Sequence, residues 1–453
     1  RDSRTKLHRL LYHKDFKRAL RRIELKRTKK PPREGSVRKQ DGRHVVEEEE
    51  MKPEVEVFDD MGNLPLHIAL ASTSRAPFSI VEALVNQYEA AVETPTDTGE
   101  DLPLTLACSP KLVLRGQHDC KELAVLAGSD LEKTIFLLMR KYPQAISKQS
   151  KEGATALHTL LEHRPQLPLV SEMIRLVDED IASDKESRTR QRIVDIKDCQ
   201  GQLPLHVAIQ YHAPADVTMY LLKENSGAAK ARMNQGYLPL HFAAMWGCAF
   251  SVLDELLNSN ALAVKETTLK KCGGDTPLHL VFGESTFEKW HCREGEKPVD
   301  PEGVILGIPG GILSPEKIVR HIVFQYYNTL RTQPDTWSRK KKKRSTVCTQ
   351  QQATKKVKEL VGMKNNFGRS VLEQADKVKD FFNVPETLLI FLKQLTNEEF
   401  DLESERDRST AHESANSSSS ESSSDSEGSN KETQSGSKRR RVDESKQRSK
   451  KGK

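Results

Sequence analysis

The stretch GYLPLHFAA, Gly236–Ala244, decides the fold because close copies of it recur along the chain. The copies are GNLPLHIAL from Gly62, GATALHTLL from Gly153, GQLPLHVAI from Gly201 and GDTPLHLVF from Gly274. A stretch that returns in one frame indicates an internal repeat, in which each unit is one small piece of secondary structure.

One unit predicts a turn followed by two short helices. Gly236 suits a tight turn, and Pro239 suits the first position of a helix, where its missing N–H costs nothing and its ring presets φ. Apolar residues at helical spacing mark the two helices, Leu240, Ala243 and Ala244 on the first and Phe250, Leu253 and Leu257 on the second. Neither helix is long enough to be stable alone in water. Each unit must therefore bury its apolar face against the next one.

These units resemble the ankyrin repeat family, whose hallmark is a T-P-L-H-x-A run in a unit of about 33 residues. Successive motif leucines are 35 residues apart from Leu205 to Leu240, and 38 apart from Leu240 to Leu278. The resemblance implies an all-α solenoid of helix-turn-helix repeats, with the motif leucines and histidines in structural roles. These residues are Leu66, His67, Leu157, His158, Leu205, His206, Leu240, His241, Leu278 and His279.

The chain departs from the family pattern at the helix cap. Leu64, Leu203 and Leu238 stand where the family carries threonine, and only Thr155 and Thr276 keep the hydroxyl. Losing an N-cap side chain costs about 0.5–2 kcal/mol. The leucine units are expected to depend more on packing between units and less on local capping.

Composition shifts divide the chain into four parts. Residues 1–25, with Leu7 and His8 in the repeat frame, are either a diverged N-terminal capping repeat or a free basic helix, and residues 26–57 are a charged linker. The repeat solenoid spans 58–396, with insertions at about 109–130, 178–192, 283–315 and 329–366. Residues 397–453 are predicted to be a disordered tail, acidic and serine-rich at first and then basic.

The residues give no sign of catalysis, of a cofactor or of a metal site. Seven cysteines are scattered without a CxxC pair, which argues against a disulfide framework or a zinc ribbon and favours a reducing compartment. His118-Asp119-Cys120 and His291-Cys292 contain nucleophile and base types, but adjacent residues rarely face one another. The chain has no apolar run long enough to span a membrane. It begins at Arg1 and not at Met, which leaves open whether a native N-terminal segment precedes it.

The predicted function is that of a scaffold, which binds other proteins on the extended concave face formed by the turn tips and first helices of successive units. The sequence does not give the identity of these partners. The expected contact residues vary between units: Asn234, Gln235 and Tyr237 at one turn, and Met245 and Trp246 at the following helix end. Trp246 is as compatible with the core as with the surface. Two alternatives stay open: a nuclear nucleic-acid-associated factor that uses its basic arms, and the regulatory repeat region of a larger enzyme.

Two dense basic runs predict nuclear import. They are Arg339, Lys340, Lys341, Lys342, Lys343 and Arg344, and later Lys438, Arg439, Arg440 and Arg441. An import receptor reads such runs, although they also suit salt-dependent nucleic-acid binding or a merely solvated charge run. The nucleus is favoured over the cytoplasm. Ser418, Ser422 and Ser424 each stand three residues before an acidic residue and are candidate phosphosites, whose phosphorylation would add negative charge beside the second basic run.

Overall fold

The computed structural model describes residues 4–27, 53–71, 76–97, 100–109, 129–163, 165–183, 191–283, 313–332, 348–379, 384–397 and 402–405. The chain divides into two compact units, Arg1–Leu402 and Glu403–Lys453. The helices described below lie in the first unit. Only 403–405 are described in the second.

The first unit consists of helix pairs that follow one another as repeats 1 to 8. The inner helices, which carry the leucine–histidine motif or its equivalent, are α1 (Lys6–Tyr12), α3 (Pro65–Leu70), α5 (Pro103–Cys108), α7 (Ala156–Leu161), α9 (Pro204–Gln210), α11 (Pro239–Trp246), α13 (Pro277–Val281) and α16 (Val371–Val378). The outer helices are α2 (Phe16–Arg27), α4 (Phe78–Gln87), α6 (Asp130–Lys141), α8 (Leu167–Ser183), α10 (Ala215–Glu224), α12 (Phe250–Ser259), α14 (Pro315–Thr332) and α17 (Glu386–Thr396). A further helix of the described residues, α15 (Gln350–Val361), lies between inner helices α13 and α16.

Proline fixes where many of these helices begin. It occupies the first position of inner helices α3, α5, α9, α11 and α13, where no N–H is needed. Pro77, Pro214 and Pro385 stand immediately before the outer helices α4, α10 and α17. The same residue type therefore separates the turn from the inner helix and, in these repeats, the inner helix from the outer one.

A short 3-10 turn returns the chain from an outer helix to the next repeat. Four such turns are Glu89–Glu93, Pro143–Ile146, Ala228–Lys230 and Ala261–Lys265. Each buries two adjacent small or branched apolar residues, such as Ala263 and Val264. These buried residues extend the apolar core beyond the end of each outer helix.

The core runs continuously from repeat to repeat. The motif leucines are at most 2% exposed, and they pack together with the apolar faces of the outer helices. Burying a leucine completely contributes about 1.5–3 kcal/mol. Arg192 also joins repeats 4 and 5 near the outer helices, since its guanidinium contacts Asp178 at 2.8 Å and Glu224 at 2.6 Å.

The structure confirms an all-α solenoid of ankyrin-type repeats, and it differs from the sequence analysis in several places. The insertion predicted at 329–366 contains α15, which packs on α14 and α17, and the insertion predicted at 178–192 begins within α8. Leu402, which the sequence places in a disordered tail, is buried against the core. Phe250, predicted on the apolar face of α12, is 55% exposed, because the buried face consists of Val252, Leu253, Leu256 and Leu257.

Residues 4–27 contain the helix pair of repeat 1. His8 donates from Nε2 to the carbonyl of Asn63 at 3.2 Å, and α1 packs against α3. At the end of the predicted linker, Glu54 pairs with Arg22. Among the described residues no helix is both long and apolar enough to cross a membrane.

Candidate protein-binding surface

The motif histidines join each repeat to the following one. In repeat 6, the backbone N–H of Leu238 donates to Nδ1 of His241 at 3.1 Å. Nδ1 is therefore an acceptor, so the ring proton is on Nε2, which donates to the carbonyl of Glu266 in repeat 7 at 3.0 Å. The same two-sided bonding occurs at His8, His67, His158 and His279.

Burial keeps these rings neutral. It lowers the pKa of His241 to about 4 and that of His206 to about 3, and it lowers the pKa of the other four motif histidines as well. A neutral ring can accept the backbone N–H at Nδ1, which a protonated ring cannot. In the described part of the chain, no three His, Cys, Asp or Glu side chains are grouped as a metal would require.

His206 is the exception in the series. Its Nδ1 accepts from the N–H of Leu203 at 3.2 Å, but its Nε2 is buried without a hydrogen-bond partner among the described residues. Backbone groups of Ala231 and Tyr237 act on its pKa without meeting hydrogen-bond geometry. The ring instead packs edge-on against Phe242 of repeat 6, with centroids 5.4 Å apart.

Leucine in place of threonine at the N-cap of an inner helix removes only one of the two hydrogen bonds made to the histidine Nδ1. Where threonine is present, its hydroxyl donates to the histidine Nδ1, at 2.8 Å in Thr155–His158 and 2.7 Å in Thr276–His279. Leu64, Leu203 and Leu238 lack this bond but keep the backbone N–H bond, and all three are buried. Burial of the leucine side chain thus takes the place of a threonine hydroxyl at these three helix starts.

The turn tips of repeats 4 to 8 are joined by a series of backbone hydrogen bonds, which we call the tip ladder. Its bonds are Cys199 N–H to Glu152 O at 3.0 Å, Asn234 N–H to Gln200 O at 2.9 Å, Leu269 N–H to Gln235 O at 3.1 Å and Asn366 N–H to Gly273 O at 2.9 Å. One bond links each pair of neighbouring tips. The tips are therefore held in fixed order along one edge of the unit.

Glycine is required where the tips approach each other. Gly201 and Gly236 have φ of 79° and 84°, a region that other residues rarely adopt. A Cβ on Gly236 would lie 2.9 Å from the backbone nitrogen of Leu269. Both the conformation and the spacing exclude a side chain there.

The predicted contact residues fall in two places. Asn234 and Gln235 are exposed on the tip of repeat 6, and the amide of Asn234 also donates to the carbonyl of Cys199 at 2.9 Å. Tyr237 is half-buried, with its ring edge-on to His241 and Phe242, each 6.0 Å away. Asn234 and Tyr237 therefore also help to join and pack the repeats.

The second place is the end of inner helix α11, where Met245 and Trp246 are half-buried. The equivalent position in repeat 5 is Tyr211, which is 39% exposed and was not singled out from the sequence. Both helices end with a left-handed residue, Gly247 at φ 77° and His212 at φ 54°. Tyr211 and Trp246 thus present equivalent aromatic side chains on neighbouring repeats.

Repeat 3 has a recess of about 280 Å³ beside the residue that replaces the motif histidine, Thr105. Leu102 and Thr105 contribute one wall, and the next turn contributes Lys148, Gln149 and Ser150. Threonine is smaller than histidine and has no ring to span the interface between repeats.

The sequence analysis did not predict the exposed apolar residues on other turn tips, which are Phe58, Met61, Leu269 and Phe367. Leu269 holds the tip-ladder position that Asn234 holds in repeat 6, since each donates its backbone N–H to the preceding tip. Aligning the turns would therefore have shown an apolar residue where repeat 6 has a polar one. His118-Asp119-Cys120, His291-Cys292, both basic runs and the three candidate phosphoserines lie outside the described residues.

The helix pairs, the left-handed tip glycines and the histidine bridges define an ankyrin-type repeat fold. No protein-family model matches the chain, and no curated protein matches it. Among solved structures it is similar to the ankyrin repeat domain of Bcl-3, of the IkappaB protein family, at 17% identity and a TM-score of 0.37, covering 64% of this chain and 99% of that one. It is also similar to the Bd0816 predatory endopeptidase from Bdellovibrio bacteriovorus in complex with the immunity protein Bd3460, at 13% identity and a TM-score of 0.34, covering 58% of this chain and 91% of that one. The fold assignment rests on the repeat geometry.

Proposed function

We propose that this chain is a scaffold that binds partner proteins along the tips and inner-helix ends of its repeats. The observation that carries the proposal is the tip ladder, which fixes a row of exposed side chains on a rigid edge. A surface that is already ordered loses little conformational entropy when it binds. Such a surface suits recognition of another folded surface or of a peptide.

The strongest contacts are expected at Tyr211 and Trp246. Tyrosine and tryptophan are enriched among residues that dominate binding energy. Both are only partly buried in the isolated chain, so a partner has apolar area left to cover. Asn234 and Gln235 add exposed polar groups at the neighbouring tip.

The test compares the amount of cross-linked partner protein that the unchanged full chain captures with the amount that two variants capture. Tyr211→Ala and Trp246→Ala should each lower capture of cross-linked partners about tenfold if the side chains are binding hot spots. Ile390→Ala is the matched control, because Ile390 is similarly exposed but lies on outer helix α17. Equal loss in all three variants, or in none, would contradict the proposed surface.

A specific observation favours nucleic acid as a second candidate ligand. Lys14, Lys17 and Arg21 are exposed on repeat 1 and form no ion pair within the described residues, so a phosphate backbone would find cations free to bind it. Replacing all three with glutamine should lower the salt dependence of oligonucleotide binding by about one unit of slope per lost phosphate contact. An unchanged slope would remove repeat 1 from this role.

We further propose that the chain is nuclear and that the runs 339–344 and 438–441 direct its import. Their charge density supports this proposal, because import receptors read compact basic runs. A fluorescent fusion of the full chain should leave the nucleus when both runs are changed to glutamine. Retention of the variant in the nucleus would contradict the assignment.

A further inference from the structure

The turn of repeat 7 is longer than the turn of repeat 6. The interval from Leu240 to Leu278 exceeds that from Leu205 to Leu240 by three residues. The longer turn contains a 3-10 segment, Lys270–Cys272, which begins directly after the exposed Leu269. An insertion into a tight tip needs its own hydrogen bonds if it is to be ordered.

Hydrogen bonds hold this longer turn on both sides. Leu269 N–H donates to repeat 6, through the tip ladder, and Gly273 O accepts from Asn366 of repeat 8 at 2.9 Å. Within the turn, the N–H of Asp275 donates to Oγ1 of Thr268 at 2.9 Å. The inserted residues therefore form a fixed surface between two neighbouring repeats.

This surface exposes two apolar side chains. Leu269 is 42% exposed, and Phe367, on the adjoining tip of repeat 8, is 68% exposed, the highest value among the large apolar side chains that the structure describes. The guanidinium of Arg369 lies 5.6 Å from the Phe367 ring centroid. Rigid, exposed apolar residues are the usual anchors of an interface.

The same surface is positively charged. Lys270, Lys271 and Lys364 are exposed and form no ion pair within the part of the chain that the structure describes. Of the nearby carboxylates, Glu266 pairs with Arg232. Asp275 and Glu373 accept from neutral donors, the amide of Asn365 at 2.8 Å and the N–H of Ser370 at 2.6 Å, and so keep their negative charges. Lys364 also acts electrostatically on Glu373, and the three lysines outnumber these two carboxylates. We call Leu269, Lys270, Lys271, Lys364 and Phe367 the repeat 7–8 tip patch.

We propose that the repeat 7–8 tip patch binds an acidic peptide segment that carries an apolar anchor. The inference rests on the proposed scaffold function and names the chemistry of one partner. Unpaired lysines attract carboxylates, while Leu269 and Phe367 provide apolar area for the anchor. Nucleic acid fits less well, because only one of the two apolar residues is aromatic and single-stranded nucleic acid is held by successive aromatic stacking.

The test measures fluorescence anisotropy of a labelled peptide in which glutamates flank a central Leu-Phe pair, titrated with the full chain. Phe367→Ser and the double variant Lys270→Glu with Lys271→Glu should each weaken binding about tenfold. The matched control is Lys223→Glu with Lys230→Glu, which reverses two exposed lysines in repeat 5. This control should bind like the unchanged chain.

A charge swap guards against loss of binding through misfolding. A second peptide with lysines in place of the glutamates should bind the Lys270→Glu, Lys271→Glu variant more tightly than the unchanged chain, a gain that an unfolded variant cannot show. Failure of the first peptide to bind, or no gain in the swap, overturns the inference. So does tighter binding of single-stranded DNA that the same variants abolish.

The result is separable from that of the scaffold proposal. Tyr211→Ala and Trp246→Ala lie in repeats 5 and 6, and both variants should bind the acidic peptide as the unchanged chain does. If those variants lose partner capture while the peptide does not bind, only the tip-patch inference fails. If the peptide binds as expected but those variants lose no partner capture, only the scaffold surface fails.

Discussion

Gly236 shows how one residue determines the spacing between repeats. Its φ of 84° is one that other residues rarely adopt, and a Cβ added to it would lie only 2.9 Å from the backbone nitrogen of Leu269 in repeat 7. The repeated glycine is thus needed by the neighbouring unit as well as by its own turn. This explains why a simple sequence pattern could predict the tips.

Gly236→Ala should lower the free energy of unfolding by about 1–3 kcal/mol, the cost of forcing a non-glycine residue into a rare backbone conformation. Urea denaturation of the full chain measures it. Gly227→Ala is the matched control, since Gly227 has φ of −74° and its added Cβ would meet only a flexible side-chain atom, 3.2 Å away. Equal effects of the two variants would contradict the argument.

The motif residues were predictable because the same physical requirement recurs in each unit. Leu240 and His241 are buried in repeat 6 as their equivalents are elsewhere, and repetition turns a weak local signal into a strong one. Tyr211 carried no such signal, because its equivalents include Trp246 and other residue types. The missing hydrogen-bond partner of the His206 Nε2 was also unpredictable, since it depends on how repeat 6 sits against repeat 5.

At the scale of elements, α15 shows where pattern recognition fails. Its sequence, QQQATKKVKELV, is mostly polar, yet Ala353, Val357, Leu360 and Val361 form a buried face at helical spacing. The preceding basic run gives the region the composition of a linker. The helix is stabilised by its contacts with α14 and α17, which are distant in sequence or separated from it by a long loop. The short 3-10 turns that lead from an outer helix to the next repeat were not predicted from the sequence either. Each buries only two adjacent apolar residues, which is too few to show a helical periodicity.

Leu360→Ala should lower the free energy of unfolding by about 2–5 kcal/mol, as truncation of a buried leucine does. Leu360 is fully buried on α15, whereas Lys355 on the same helix is exposed. Lys355→Ala is therefore the control, and its effect should stay within about 0.5 kcal/mol. If Leu360→Ala were as mild as Lys355→Ala, α15 would not be part of the cooperative core.

At the scale of the whole molecule, six buried motif histidines among the described residues connect the repeats and give them a common dependence on pH. Their bonding joins repeats 1 to 2, 2 to 3, 4 to 5, 6 to 7 and 7 to 8, with His206 packing repeat 5 on repeat 6. Each needs a neutral ring, so acid should weaken many interfaces at once. The solenoid should therefore unfold cooperatively as the pH falls.

The direction follows from the lowered pKa values. The unfolded chain takes up protons at each histidine near pH 6.5, while the folded chain does so only near pH 4 at His241 and pH 3 at His206. Stability is thus fully present above about pH 6.5 and is lost as the pH falls, by up to about 1.4 kcal/mol per pH unit for each buried histidine.

Urea midpoints between pH 7.5 and 5.5 measure this slope before most carboxylates titrate. His206→Leu should make the slope shallower by the contribution of one histidine, because leucine does not titrate and the Nε2 of His206 has no hydrogen-bond partner to lose among the described residues. Midpoints that do not fall between pH 7.5 and 5.5 would show that the folded repeats accept these protons, and that the neutral rings are not what holds neighbouring units together.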